Sequence, residues 1–243
     1  MRVIYGINPV EEAIRAGESV EEVLITGERG RAPLAPIIKA AASAGLRVKR
    51  VTPEELYRVT GTKKAQGVAA LIRGGFKYRG LDEILKVWRG SGEKAFFLVL
   101  DSIQDPRNLG AIIRSASGAG VHGIIIPRDR ASSVTPATVK ASAGATEHIY
   151  VARETNLVRA IERLQAEGVW VAALEAHCPE PIYSADLKGD VAIVIGGEGK
   201  GIRRLVRKSC DLSISIPMTG KLNSLNAAQA GTVVMFEVRR QRL

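Results

Sequence analysis

The chain has 243 residues, of which 46% are hydrophobic, so it can bury a substantial core and is not a disordered chain. Its formal net charge of +10 favours a polyanionic partner such as a nucleic acid, although a basic protein without such a partner stays open. Residues 1–75 carry 12 Lys and Arg against 8 Asp and Glu, and residues 76–243 carry 23 against 17. The charge is therefore spread along the chain, which excludes a basic tail as the binding element.

The cysteines and the apolar runs bear on where the protein works. Cys178 and Cys210 are the only cysteines, and they form neither a metal-ligand spacing nor a disulfide framework, which predicts a reducing cytoplasm and no metal site. The N-terminal segment MRVIYGINPVEEAI reaches charged residues too early for a signal peptide. No apolar run approaches the ~20 residues of a membrane span. We therefore expect a cytoplasmic protein with no membrane partner.

The first 73 residues alternate between strand-like and helix-like segments. Asn8 and Pro9 predict a helix cap followed by proline in the first turn, with Glu11 and Glu12 near the positive end of the helix dipole. The remaining segments predict strands over residues 3–5, 22–26, 46–51 and 68–72, and helices over residues 33–44 and 53–59. This pattern is typical of a compact α/β unit.

The amino-acid composition of the chain changes after residue 73. The glycine-containing segments GGFKYRG and RGSGEK flank an amphipathic stretch at 81–88, which predicts a linker over 74–94 with a short helix. From residue 95 the strands are continuous apolar runs separated by helical patterns: FFLVLD, GIIIP, VWVAAL, VAIVIG and LSISIP. Such strands indicate a parallel sheet covered on both faces. We therefore expect an α/β protein with domains at 1–73 and 95–243.

Ligands of open parallel sheets bind at the carboxyl ends of the strands, so the segments that follow the strands are candidate sites. The segment after FFLVLD contains Asp105 and Pro106 in a turn and Asn108 as a helix cap. Arg114 lies beside the apolar stripe of the helix that follows. Taken alone, Arg114 is explained without any functional role, as a surface arginine or as one partner of an ion pair.

The segment GAGVHG at 118–123 matches the dinucleotide-binding pattern G-x-G-x-x-G in letters only. That fingerprint must follow a strand and begin a helix, whereas here it ends a helix and precedes a strand. We therefore interpret these glycines as a helix stop and a tight turn. A nicotinamide-dependent enzyme would depend on this match alone.

The glycine-rich segment GGEGKGI follows the strand VAIVI. Its glycines let the backbone approach a ligand closely, but no Ser or Thr follows Lys200, so it is not a Walker A loop. It is either a tight turn or a cofactor cradle, and Glu198 among the glycines favours a functional role. After LSISIP, Ser224 or Asn226 is suited to cap the next helix. Capping explains one polar residue but not Asn223, Ser224 and Asn226 together.

These three segments, in this order, resemble the motifs of the SpoU-type branch of the SPOUT (α/β-knot) RNA methyltransferases. The matching stretches are DPRNLGAIIRSA, IGGEGKGI and ISIPMTGKLNSLNAAQA, and the resemblance covers 95–243. The earlier stretches YGINPVEEAI and KKAQGVAAL resemble the small RNA-binding α/β domain that precedes the catalytic domain in members acting on large-subunit ribosomal RNA. The resemblance therefore extends over nearly the whole chain.

The resemblance implies a deep trefoil knot near the C-terminus, a homodimer and S-adenosylmethionine as cofactor. The implied reaction is methylation of a ribose 2′-hydroxyl of RNA, with a guanosine of 23S ribosomal RNA as the first expectation and transfer RNA as the second. A non-catalytic RNA-binding protein with the same fold is a further alternative. It predicts loss of cofactor binding.

The resemblance also assigns roles residue by residue. Its catalytic positions fall on Asn108, Arg114, Glu198, Ser224 and Asn226. Its cofactor contacts, made largely by backbone groups, fall on Gly196, Gly197, Ile216, Met218 and Leu225, with Leu174 as a further candidate. Arg114 would act either as a general base assisted by a substrate phosphate or as an electrostatic positioner. The third motif departs from the usual small residue, Ser and Val in having Ala227, Ala228 and Gln229.

Overall fold

The computed structural model describes residues 1–27, 34–220 and 224–243. Within these ranges the chain forms one four-stranded sheet and one six-stranded sheet, each covered by helices. Pro33, at the start of one predicted helix, and Asn223, in the third polar segment, lie outside the described residues. No helix in the described part of the chain is long and apolar enough to cross a membrane.

The N-terminal sheet has the strand order β1-β4-β2-β3. Its strands are β1 (Arg2–Tyr5), β2 (Val20–Ile25), β3 (Arg47–Arg50) and β4 (Val68–Ile72). Its helices are α1 (Ile7–Arg15), α2 (Ala35–Ser43) and α3 (Pro53–Thr60). Strand β4 runs antiparallel to β1 and β2, while β2 and β3 are parallel. The core between sheet and helices includes the fully buried Ile4, Val23 and Ile37.

The predicted cap of α1 is wrong. The helix begins at Ile7, one residue before Asn8, and Gly6 precedes it at a φ of 100°. A side chain at Gly6 would press on the Gln66 side chain, whose Oε1 accepts a hydrogen bond from the Ile7 backbone N–H at 3.2 Å. The acceptor for one of the unpaired N–H groups at the start of the helix is therefore Gln66, which is 59 residues away in sequence. A local sequence pattern cannot reveal such a contact.

The segment predicted as a linker is packed against the C-terminal half. Its helix α4 (Leu81–Ser91) runs three residues further than expected and buries Leu81, Ile84 and Leu85. Ile84 fills the space beside Gly123, where a Cβ would overlap it. Just before the helix, the backbone N–H of Arg79 donates to the Val151 carbonyl at 2.9 Å.

The C-terminal sheet has six strands in the order β10-β8-β9-β5-β6-β7, and every pair is parallel, which confirms the predicted sheet type. Its strands are β5 (Phe96–Asp101), β6 (Gly123–Pro127), β7 (Tyr150–Glu154), β8 (Trp170–Glu175), β9 (Val191–Gly196) and β10 (Leu212–Ser215). Its helices are α5 (Pro106–Ala119), α6 (Pro136–Ala141), α7 (Leu157–Ala166), α8 (Arg204–Lys208) and α9 (Ala227–Gln241). Strand β7 was not predicted.

Alternate residues of β5 show how the sheet is covered. Leu98 packs in one apolar cluster with residues of α5 and α9, and Val99 packs in another with residues of α4 and α7. The chain leaves β5 toward β6 on one side and leaves β9 toward β10 on the other. These neighbouring central strands therefore form a topological switch point, where the loops diverge and leave a crevice at the carboxyl ends.

A buried ion cluster joins the two sheets. The guanidinium of Arg2 lies 3.1 Å from a carboxylate oxygen of Glu18 and 3.3 Å from one of Glu147, which belongs to a 3₁₀ turn (Ala145–Glu147) of the C-terminal half. The side chains of Arg2 and Glu147 are 7% and 2% exposed. His148 Nε2 lies 2.7 Å from Glu12 Oε2 beside them.

Candidate active site

A cavity of about 520 Å³ lies at the carboxyl ends of β8, β9 and β10. It is lined by all six residues expected to contact the cofactor, namely Leu174, Gly196, Gly197, Ile216, Met218 and Leu225. Glu198, Ser224 and Asn226 line it as well. The second and third of the three segments, which are separate in sequence, therefore meet at this cavity.

The glycine-rich turn after β9 forms one wall of this cavity. A Cβ at Gly197 would overlap the backbone carbonyl of Ser102, and a Cβ at Gly196 would overlap the backbone of Gly201. Gly201 itself has a φ of 61°, in the left-handed region that favours glycine. The glycines thus allow the turn to fold back on itself and to pack against the loop after β5.

A buried carboxylate holds this turn in place. Asp101, the last residue of β5, is fully buried and accepts hydrogen bonds at 2.7 Å from the backbone N–H and from Nε of Arg203. The Ser102 hydroxyl donates to it at 3.1 Å. Sequence reasoning did not single out Asp101. The available signal was a carboxylate ending an otherwise apolar strand, which calls for a buried partner.

Three of the expected catalytic side chains form a connected cluster. The Asn108 side-chain amide donates to Glu198 Oε1 at 2.9 Å. The Asn226 amide donates to Asn108 Oδ1 at 3.2 Å and also to Glu198 Oε1. We call this the Asn108–Glu198–Asn226 cluster. It presents carboxylate and carboxamide groups where the glycine-rich turn meets the starts of α5 and α9.

The starts of the two helices explain how the asparagines reach Glu198. Asp105, not Asn108, caps α5 and accepts from the Arg107 backbone N–H at 2.7 Å, so the predicted cap is wrong and Asn108 is left to donate elsewhere. The Arg107 side chain also lowers the pKa of Asp105 below its usual range. Asn226 does cap α9, because its Oδ1 accepts from the Ala228 backbone N–H at 2.9 Å.

A second cavity, of about 460 Å³, lies on the other side of the glycine-rich turn. Its lining includes Gln104, Asp105 and Asn108 from the start of the α5 region. It shares Glu198 and Lys200 with the first cavity. Glu198 therefore stands at the boundary of two spaces, as expected of a residue between two reactants.

Arg114 is not part of the cluster in this chain. It is exposed, and the described residues offer it no hydrogen bond or ion pair within the usual distances. It lies six residues after Asn108 on α5, which corresponds to about 9 Å along the helix and a different helix face. Gln229, in the departing part of the third motif, is exposed and does not line the described cavity.

Known proteins resemble this chain along almost its whole length. The 23S rRNA (guanosine-2'-O-)-methyltransferase RlmB of Xanthomonas campestris pv. campestris is 40% identical over 99% of this chain and 96% of its own length. The RlmB of Escherichia coli K12 is 37% identical over 99% of this chain and 98% of its own.

Solved structures share the fold. The SpoU methyltransferase AviRb from Streptomyces viridochromogenes, in complex with the cofactor AdoMet, is 25% identical with a TM-score of 0.82, covering 99% of this chain and 90% of that one. A protein studied for 2-OH methylation of C/U34 on tRNA is 26% identical with a TM-score of 0.56, covering 62% of this chain and 97% of that one.

The family comparisons cover both halves of the chain. Residues 3–75 match a family described as RNA 2'-O ribose methyltransferase substrate binding, and residues 95–236 match the SpoU rRNA Methylase family. The resemblance, the α/β fold class and the reaction class expected from the sequence are thereby confirmed. The chain belongs to the SpoU rRNA methylase family.

Proposed function

We propose that this protein transfers a methyl group from S-adenosylmethionine to the ribose 2′-hydroxyl of a guanosine in 23S ribosomal RNA. The observation that carries the proposal is that one cavity is lined by the six expected cofactor residues and by Glu198 and Asn226, which are both hydrogen-bonded to Asn108. Relatives at 37% and 40% identity that carry this activity in their names match nearly the full chain, which supports the choice of substrate.

The cavity fits S-adenosylmethionine in size and chemistry. Its volume of about 520 Å³ lies within the ~300–1,000 Å³ of small-molecule sites. Leu174, Ile216 and Met218 offer apolar surface for an adenine ring, and the glycine-rich turn brings backbone polar groups close. When bound, the cofactor supplies an electrophilic methyl group.

The residues of this chain then have to place and activate the ribose. A 2′-hydroxyl is a poor nucleophile at neutral pH, so its orientation and the removal of its proton decide the rate. The Glu198 carboxylate, held by Asn108 and Asn226, is an acceptor fixed in position for hydroxyl groups. Arg114 is positively charged and is suited to bind a phosphate next to the reacting ribose.

Ribosomal RNA is favoured over transfer RNA by the extent of the matches. The relatives named for 23S rRNA match 99% of the chain, including the N-terminal sheet, and a protein linked to tRNA methylation alone matches 62%, although a relative named for both tRNA and rRNA matches 98%. The N-terminal sheet also carries exposed basic residues on β3, among them Arg47 and Lys49. These support a role in holding a structured RNA.

The test is methylation of ribosomal and transfer RNA in vitro with labelled S-adenosylmethionine, followed by mapping of the modified nucleotide. We expect one 2′-O-methylated guanosine in 23S ribosomal RNA and no label in transfer RNA. Methylation of a base nitrogen with the ribose untouched would overturn the proposal. RNA binding without any binding of S-adenosylmethionine would favour the non-catalytic alternative.

We further propose that the protein works as a homodimer through the outer surface of α5 and α9. Phe236 is 47% exposed and lies against Gly118 of α5. Arg114 is one helical turn before Gly118 and so shares this face. A second copy covering Phe236 would therefore also cover or contact Arg114. The trefoil knot implied by the resemblance is a separate proposal, which an experimental structure of the C-terminal region tests.

Light scattering after gel filtration tests the dimer. We expect twice the chain mass for the natural protein and a monomer for Phe236→Asp, because a buried carboxylate at an interface is costly. Val87→Asp is the matched control, since Val87 is similarly exposed, at 44%, but belongs to α4 on the opposite side of the sheet. A natural protein that is monomeric at every concentration contradicts the proposal.

A further inference from the structure

Glu175 is a carboxylate in the candidate cofactor cavity to which no role has been assigned. It is the last residue of β8 and lines the cavity together with Leu174. Its Oε1 atom is buried and has no hydrogen-bond partner among the described residues. Nor does any described cation lie within ion-pair distance of its carboxylate.

A buried carboxylate oxygen without a donor is unfavourable, and native proteins leave few of them. Asp101, at the end of the nearby strand β5, shows the usual solution, because Arg203 and Ser102 donate to it. Glu175 lies at a corresponding strand end but faces a cavity instead of a donor. A donor on the bound ligand would complete this site.

The position of Glu175 indicates which part of the ligand it meets. The Asn108–Glu198–Asn226 cluster lies where β9 adjoins β5, and Glu175 ends β8 on the other side of β9. Because the reacting methyl has to face the cluster, the ligand at Glu175 is a part remote from the reaction. Ile216 and Met218, which follow the neighbouring strand β10, give that part an apolar surround.

We propose that Glu175 accepts a hydrogen bond from a ribose hydroxyl of the adenosyl group of the cofactor. Nucleotide sites in other open parallel sheets are built in a similar way. There an acidic residue often binds the ribose, while a glycine-rich turn binds other polar groups of the nucleotide. Here the glycine-rich turn follows β9, and Glu175 ends the adjacent strand. The inference depends on the proposed function, because it takes S-adenosylmethionine as the ligand.

Calorimetry with S-adenosylhomocysteine, which cannot transfer a methyl group, tests the contact directly. We expect Glu175→Ala to weaken binding about 10- to 100-fold, the effect of losing a hydrogen bond to a charged group. Glu175→Gln keeps an acceptor oxygen but not the charge, and should weaken binding less. The 2′-deoxy and 3′-deoxyadenosyl analogues of the ligand then identify the hydroxyl.

The analogues separate a direct contact from a structural effect. One deoxy analogue should bind the natural protein about 10- to 100-fold more weakly than the parent, yet bind Glu175→Ala as well as the parent does. Equal discrimination by both proteins would overturn the inference, as would parent affinity unchanged in Glu175→Ala. Glu154→Gln is the matched control, because Glu154 ends β7 at the other edge of the sheet. This variant should bind the parent ligand and both analogues as the natural protein does.

The result also separates this inference from the proposed function. If the natural protein binds neither S-adenosylmethionine nor S-adenosylhomocysteine, the proposed function fails and the inference fails with it. If the natural protein binds both and the Glu175 variants bind equally well, only the inference fails. Thermal unfolding of each variant shows whether the fold is retained, and Glu175→Gln provides an isosteric variant if Glu175→Ala unfolds.

Discussion

Asn226 has two roles with the two ends of one carboxamide. Its oxygen caps α9 by accepting from the Ala228 backbone N–H, and its nitrogen donates to Asn108 and Glu198. Helix capping and a place in the active site, which are alternative interpretations of Asn226 in the sequence, are therefore both correct for this residue. Because the cap fixes the orientation of the side chain, Asn226 holds the Glu198 carboxylate together with Asn108.

At Arg114 we predict a separation of catalysis from cofactor binding. Arg114→Ala should lower kcat by about 100-fold or more, the usual effect of removing a group that assists proton transfer. The Kd for S-adenosylmethionine should stay within about twofold, because Arg114 does not line the cofactor cavity. Steady-state methylation at saturating RNA measures kcat, and calorimetry measures the Kd.

Two further variants sharpen this result. Arg114→Lys keeps the positive charge, so retained activity would favour the electrostatic role over the general base. Arg159→Ala removes an exposed arginine from α7, away from the cavity lining, and should leave both quantities unchanged. Near-normal turnover by Arg114→Ala would refute the assignment.

Strands and helices differ in how well the sequence predicts them. The limits of β5 and β6 are predicted to the residue and those of β9 to within one residue, because a strand buried on both faces is a continuous apolar run. Strand β7 is missed because it is an edge strand whose last two residues, Arg153 and Glu154, are polar. Edge strands lack the burial that makes the pattern recognisable.

Helix starts are predicted less well, for a related reason. Asn108 and Asn8 are both suitable caps, yet Asp105 and Gly6 precede the two helices instead. What decides between neighbouring candidates is a tertiary contact, such as Asn108 to Glu198 across 90 residues. The contact between Asp101 and Arg203, which are 102 residues apart, is likewise tertiary and cannot be predicted from a local pattern. The residues predict a site at the strand ends, whereas the family resemblance identifies the individual side chains.

At the scale of the whole molecule, the ion cluster between the sheets makes stability depend on pH. Burial raises the pKa of Glu147 above its ordinary value of 4.5, against the opposing effect of Arg2. The folded state therefore binds a proton more tightly than the unfolded state. The free energy of unfolding should fall as pH rises from 4.5 through the raised pKa, and then level off.

Urea unfolding at pH values between 4.5 and 8 measures this dependence. In Glu147→Gln the fall should be absent, because no carboxylate is ionised in the buried position. Glu18→Gln removes a like charge that also raises the pKa of Glu147, so the fall should persist but occur at lower pH. An unchanged pH dependence in Glu147→Gln would show that this cluster is not its source.

The partition between the two cavities has a consequence for inhibitor design. The glycine-rich turn closes off direct passage, because Gly196 and Gly197 are packed against backbone atoms with no space for a side chain. Both cavities nevertheless include Glu198 and Lys200. A bisubstrate compound, with an adenosyl part in one cavity and a ribose part in the other, must therefore route its tether over these two side chains. A tether that donates a hydrogen bond to Glu198 would use the carboxylate that, among the described residues, lines both cavities.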